Sequence, residues 1–222
     1  MNLDISKLQK QLLELVSNDT YKVLSKDQQV QALFSLAVQG NLECDGKISI
    51  LYSGAVSENL STSSIVSALL DKNGEDLRVL DKTDAAKFLK SIEFNRELAK
   101  SYGLTLQEWN QEAPLENPEK AKLKKELADL TFHETEGPWA KISKSFASDT
   151  VGDVVTITPS ANIKRIFGAT ELPELLNNND IDNINRVKRT DLLRMENDLI
   201  ASGKDAKSIL FDTVNSQSKI HT

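Results

Sequence analysis

The sequence predicts an α/β fold in which a small, mainly parallel sheet is flanked by helices. Three observations carry this. Val154-Val155-Thr156-Ile157 is a short apolar run of the kind that forms a buried, parallel strand. Lys47 to Tyr52 repeats the pattern, with Ile48, Ile50 and Leu51 suited to a second buried strand that makes a sharp exit at Gly54. Apolar residues also recur at helical spacing, as Trp139, Ile142, Phe146 and Ala147 do just before the run at Val154.

Taken in order, the chain opens with two helices, Ile5 to Val16 and Lys26 to Val38. Leu8, Leu12, Leu13 and Val16 form the apolar stripe of the first. The polar Ser17-Asn18-Asp19-Thr20 separates the pair, and Ser25 or Asp27 supplies the N-cap of the second. After the strand at 47–52, Thr62 to Asp71 is helical and Asn73-Gly74 is a turn. Leu77 to Leu80 is extended and enters a helix capped by Thr83 or Asp81. Residues 93–130 read as charged helices with Glu-Lys pairs on solvated faces, broken at Pro114 and Pro118 beyond Trp109. His133, with Glu134 and Glu136, reads as a surface connection.

The amphipathic helix from Trp139 then leads into the strand at 154–157. Pro159, which has no backbone donor, closes that strand. The chain loops through Ile166-Phe167 to Thr170-Glu171, where Glu171 stands at a helix start. Asn177 to Asp180 is a turn, Ile181 to Val187 alternates like one more strand, and Thr190 to Leu210 is a helix interrupted at Gly203, with the last ten residues loose. No repeat or low-complexity linker divides the chain, which is expected to form a single domain.

Composition narrows the function. With 222 residues and 39% hydrophobic content, the chain can build a sizeable core. Its net charge is −6, and 27 basic residues are scattered among 33 acidic ones without a basic stripe, so nucleic acid is not an expected partner. No apolar run approaches the roughly 20 residues that span a bilayer, and no membrane partner is expected. Met1 to Val16 lacks the order of a signal peptide. The expected location is therefore the cytoplasm of a producing or a target cell, the latter reached by a specialised secretion route that needs no such peptide. Cys44 is the single cysteine, and with only His133 and His221 beside it the soft ligands are too few for a zinc site, so no metal is expected.

The order Trp139-x-x-x-Ser143-x-x-Phe146-Ala147, Asp153-Val154-Val155, Lys164-x-Ile166-Phe167 and Thr170-Glu171 resembles the core of the ADP-ribosyl cyclase and NAD glycohydrolase family. The resemblance runs from Ile50 to about Val187. The strand ending Tyr52-Ser53-Gly54 looks more like the family's bacterial toxin branch than its vertebrate enzymes, which carry tryptophan and arginine where this chain has Tyr52 and Gly54. The resemblance implies a mainly helical lobe (1–45 and 55–130), a sheet-containing lobe (46–54 and 131–190), a C-terminal helix and tail (191–222), and an active-site cleft between the lobes. It implies an enzyme for which NAD+ is substrate and no separate cofactor is needed. The products are nicotinamide and ADP-ribose, with some cyclic ADP-ribose, and the setting is a NAD-depleting effector paired with a cognate immunity protein.

Cleavage of the nicotinamide–ribose bond passes through an oxocarbenium-like state that one fixed carboxylate can stabilise, because nicotinamide leaves without protonation. Glu171 is the catalytic candidate. Trp139 is the first choice to stack the cationic nicotinamide and Tyr52 the second. Ser143, one helical turn from Trp139, can reach a ribose or phosphate oxygen. Ser53 and Thr170 flank the cleft, and Phe167 closes over the base. By resemblance Asp81 lines the nicotinamide pocket, while Lys90 stands where a second acidic residue is expected. Two other readings compete: an ADP-ribosyltransferase toxin, disfavoured because the first strand offers no arginine, and a non-enzymatic acidic binding or immunity-type protein.

Overall fold

The computed structural model describes residues 2–52, 55–57, 60–73, 76–158 and 162–217. Helices α1 (Ile5–Ser17), α2 (Asp19–Lys22) and α3 (Lys26–Ala37) come first. Strands β1 (Ile48–Tyr52), β2 (Ala55–Ser57) and β3 (Leu60–Ser61), helix α4 (Thr62–Asn73) and strand β4 (Leu77–Val79) follow. A single 3-10 turn at Leu80–Lys82 leads into α5 (Asp84–Lys90), α6 (Ile92–Ser101), α7 (Leu106–Asn110), α8 (Pro118–Thr131) and α9 (Pro138–Ser148). Beyond β5 (Gly152–Ile157), a π-helical turn at Phe167–Glu171 runs into α10 (Leu172–Asn177). The chain finishes with β6 (Ile181–Ile184), β7 (Val187–Lys188), α11 (Arg189–Ala201) and α12 (Ala206–Gln217). Among the described residues no helix is long and apolar enough to cross a membrane.

Contacts divide the chain into two compact units, Met1–Glu43 with Asp81–Ile142, and Cys44–Leu80 with Ser143–Thr222. The first is helical. Its helix starts are set by side chains that accept the otherwise orphaned amides: Asp4 for α1, Ser25 in a reciprocal capping box with Gln28 for α3, Thr83 for α5, Ser91 for α6 and Asn117 for α8. Leu8, Leu12, Val30, Leu33, Ala85, Phe88, Phe94 and Leu98 are buried, and the Phe88 and Phe94 rings lie 5.1 Å apart. Gly40 is required by close packing, since a Cβ there would stand 2.5 Å from the Ala85 Cα.

The second unit holds a five-stranded sheet of order β4-β1-β5-β6-β7. β1 runs parallel to β4 and β5, β5 runs parallel to β6, and only the β6–β7 pair is antiparallel. Successive residues of a strand face opposite sides, and the two apolar clusters respect this. Leu51 and Val154 share a cluster with Phe167, Leu175, Ile184, Leu192, Leu210 and Phe211. Ile50, Leu77, Val79 and Ile157 share the other with Val66 and the flanks of α4. The sheet is thus covered by α4 on one face and by the C-terminal helices on the other. Arg78, on β4, is tied to α9: its guanidinium donates to the Thr150 hydroxyl at 2.6 Å and stacks 4.0 Å over the Phe146 ring.

Several expectations are corrected. Residues 55–80, expected with the helical lobe, supply β4 to the sheet, because the apolar Leu77 and Val79 pack with Ile50 and Ile157. Residues 131–142, expected in the sheet-containing lobe, fall in the helical unit. Asp19–Lys22 is a helical turn rather than a plain break. Helix α12 extends to Gln217, well past Leu210, because Phe211 and Val214 belong to the core. Ile48 and Val155, placed in buried runs, are each 39% exposed. The turn at Gly74 and the strand end at Pro159 lie outside the described residues.

Ile181 to Val187 is a tight hairpin instead of one strand. Asn185 and Arg186 take φ of 50° and 68°, as the two central residues of a type I′ turn require. Asn185 also prolongs the ladder on β5: its backbone amide donates to Val154, its side-chain oxygen accepts from the Thr156 amide at 2.7 Å, and its side-chain amide donates to the Thr156 hydroxyl and the Val214 carbonyl. Asn185→Ala leaves buried groups on β5 and α12 unsatisfied and removes a residue tolerant of positive φ, so it should cost about 2–4 kcal/mol in urea unfolding. A loss below about 0.5 kcal/mol would show that the network carries little stability.

Candidate functional site

The π-helical turn at Phe167–Glu171 is the local feature around which the candidate site is built, closed by the Leu172 amide donating to the Phe167 carbonyl. Pro173 explains its presence. It has no N–H for the carbonyl four residues back, so the turn preceding it widens rather than continuing a regular α-helix. Gly168 is needed inside the turn, because a Cβ there would lie 2.5 Å from the backbone of Ile163. Single π turns of this kind recur at functional sites.

Phe167 is fully buried, with its ring 6.1 Å from that of Phe211. Four residues on, Glu171 is carried inside with it and is only 7% exposed. Its carboxyl meets the hydroxyl of Ser143 on α9, itself buried. Burial raises the Glu171 carboxyl from its ordinary 4.5 up to about 7, and the Ser143 hydrogen bond opposes that rise by stabilising the anion. The group is therefore balanced between acid and carboxylate near neutrality. Thr170, also buried, adjoins it in the same turn.

The structure brings Ser143, Thr170 and Glu171 into one unit. Phe167 is a core residue under the π turn, so the expectation that it closes over a base is corrected: its apolar ring is spent on Phe211 and the sheet. Tyr52 packs with the α4-side cluster, whereas its neighbour Leu51 belongs to the cluster of Phe167; strand alternation therefore turns Tyr52 to the sheet face opposite the π turn. Ser53 lies outside the described residues. Asp81 and Trp139 belong to the helical unit. There Asp81 pairs with the Lys90 ammonium, and the same ammonium sits 5.9 Å from the centre of the Trp139 ring. A ring already facing one cation attracts a second less well.

The remaining titratable candidates have structural roles. His133 Nδ1 accepts from the amide of Glu136 at 3.2 Å, which fits its reading as a connection. Thr83 caps α5 through the Ala86 amide, so Asp81 is not the cap. Among the described residues no group of three or more His, Cys, Asp or Glu is arranged to hold a metal ion. The π turn and the Lys90 pairing were not read from the sequence; Gly168 within the turn and Pro173 just beyond it were the available signal for the turn.

Comparison with protein-family models, curated proteins and solved structures finds no match to this chain. The functional reading therefore rests on residues and geometry.

A carboxyl raised from 4.5 to about 7 binds its proton more tightly in the folded than in the unfolded chain. Its contribution to stability is full below pH 4.5 and declines as pH rises through about 7, by on the order of 3 kcal/mol in all. Glu171→Gln should remove this decline and leave the variant more stable than the parent at pH 8, measured by urea unfolding across the range. Parallel pH profiles for the two proteins would contradict the assigned environment.

Proposed function

We propose that the chain is a NAD+ glycohydrolase in which Glu171 stabilises the cation that forms as nicotinamide departs. The observation that carries the proposal is the buried Glu171 carboxyl, held by Ser143 at a π turn and raised to about 7. In such low-dielectric surroundings an ionised carboxylate interacts with a developing positive charge far more strongly than it would in water. The substrate's cationic nicotinamide ribosyl group favours the ionised form for the same reason. The bond from C1′ of the ribose to the nicotinamide nitrogen breaks with its electron pair going to nitrogen, which neutralises the ring. Water then adds at C1′, and Glu171 accepts the proton released. The products are nicotinamide, ADP-ribose and a proton.

Ser143 holds the carboxyl in place and opposes the rise in its pKa. Thr170, in the same turn, is the nearest candidate to bind a ribose hydroxyl. Trp139 is left out of nicotinamide binding, given the ammonium over its ring. Such a reaction drains NAD from any cytoplasm that contains the protein, which suits the role of an effector held in check by an immunity protein.

The parent protein and Glu171→Gln are incubated with NAD+ and the products separated by chromatography. The parent should release nicotinamide and ADP-ribose, the variant should be slower by about 10²–10³-fold, and the parent's rate should rise with pH through about 7 as the carboxyl ionises. NAD+ left intact by the parent, or cleaved equally by both proteins, would refute the proposal.

A further inference from the structure

The helical unit contains a pocket of about 380 Å³ that the Glu171 chemistry does not use. That volume is within the range of small-molecule sites. Both tryptophans of the chain, Trp109 on α7 and Trp139 on α9, line it, and the half-exposed Phe132 adds a third aromatic surface. The Trp109 indole is fixed in place: its N–H donates to the Asn95 side-chain oxygen at 2.9 Å, and the Asn95 amide is held in turn by the Leu89 and Ser91 carbonyls. The Trp109 face of the wall is thus preorganised by part-buried hydrogen bonds that no ligand has to replace.

Charge selects among flat ligands. Lys90 and Lys124 line the pocket and no acidic residue does, in a chain whose net charge is −6. Lys90 shares its charge with Asp81 and the Trp139 ring. The Lys124 ammonium donates to the Gln111 carbonyl, and among the described residues it pairs with no carboxylate. A carbonyl leaves the ammonium's charge uncompensated, so a cation is repelled here and an anion is favoured.

We infer that this pocket binds a small ligand built of a flat aromatic ring bearing an anionic group. The indoles supply surface for the ring, and Lys124, with Lys90 beyond it, supplies the countercharge. The inference is independent of the Glu171 reading, since every residue it uses lies in the helical unit.

Because both tryptophans line the pocket, intrinsic fluorescence reports its occupancy directly. The full chain and its Glu171→Gln variant are titrated with 5′-AMP, 2-naphthoate, adenosine and inorganic phosphate. A saturable change is expected with AMP, with 2-naphthoate, or with both; AMP alone identifies a nucleotide site and 2-naphthoate alone an aryl-acid site. Adenosine and phosphate should each bind at least roughly tenfold more weakly than AMP if AMP is the ligand, and Lys124→Ala should weaken the bound anion by roughly ten- to a hundredfold. Lys124 is a surface helix position, so alanine is compatible with folding. The inference is overturned if neither aromatic anion saturates, if AMP saturates but adenosine binds as well as it does, or if Lys124→Ala leaves the affinity for the bound anion unchanged. Binding should be the same in Glu171→Gln, which separates this result from the fate of the glycohydrolase reading.

Discussion

Burial of Phe167 is the constraint from which the candidate site follows. An aromatic side chain of that size stabilises the second unit only if it reaches Phe211 and the sheet. Pro173, six residues later, denies the backbone one donor, and Gly168 lets the turn pass close to Ile163. Satisfying all three opens a π turn, and Glu171 is carried into the interior on the same side as Phe167. A carboxyl in that position is costly to ionise. Shifted carboxyls of this kind cluster at functional sites, and the hydroxyl of Ser143 lessens the cost without removing it.

The surrounding sheet is suited to holding that turn still. β5 is hydrogen-bonded on both edges, and where β6 gives out the side chain of Asn185 takes over the ladder and reaches α12 as well. Arg78 ties the opposite end of the sheet to α9, the helix that carries Ser143. The two partners of the buried pair thus come from elements with separate anchors. This is how a short polar contact keeps its geometry inside an apolar surround.

Strands β1 and β5 and helices α1 and α3 could be read from periodicity because Ile50, Leu51, Val154, Leu8 and Leu12 obey the spacing of a buried run or an amphipathic face. Other features depended on contacts remote in sequence. Leu77 to Leu80 could be read as extended, but its membership of the sheet came from pairing with β1. Asn185-Arg186 lacks the glycine that normally marks a type I′ turn, so the hairpin was hidden behind an alternating pattern. Glu171 reads from the sequence as standing at a helix start, and it does directly precede α10, but its depth followed from Phe167, whose own burial was not foreseen. Tyr52 was drawn toward the site by its position at a strand end, and the parity of β1 turned it to the other face. Lys90, read as a missing acid, is instead the partner of Asp81 and Trp139.

The proposed chemistry depends on one property, the ionisation of Glu171 near neutral pH. The most direct test is a carbon-13 NMR titration of the glutamate side-chain carboxyls, with the Glu171 resonance assigned by its loss in Glu171→Gln. That resonance should titrate with a midpoint of about 7, against the ordinary 4.5. A midpoint at the ordinary value would mean that the carboxyl is solvated and that the basis for assigning it catalysis is gone.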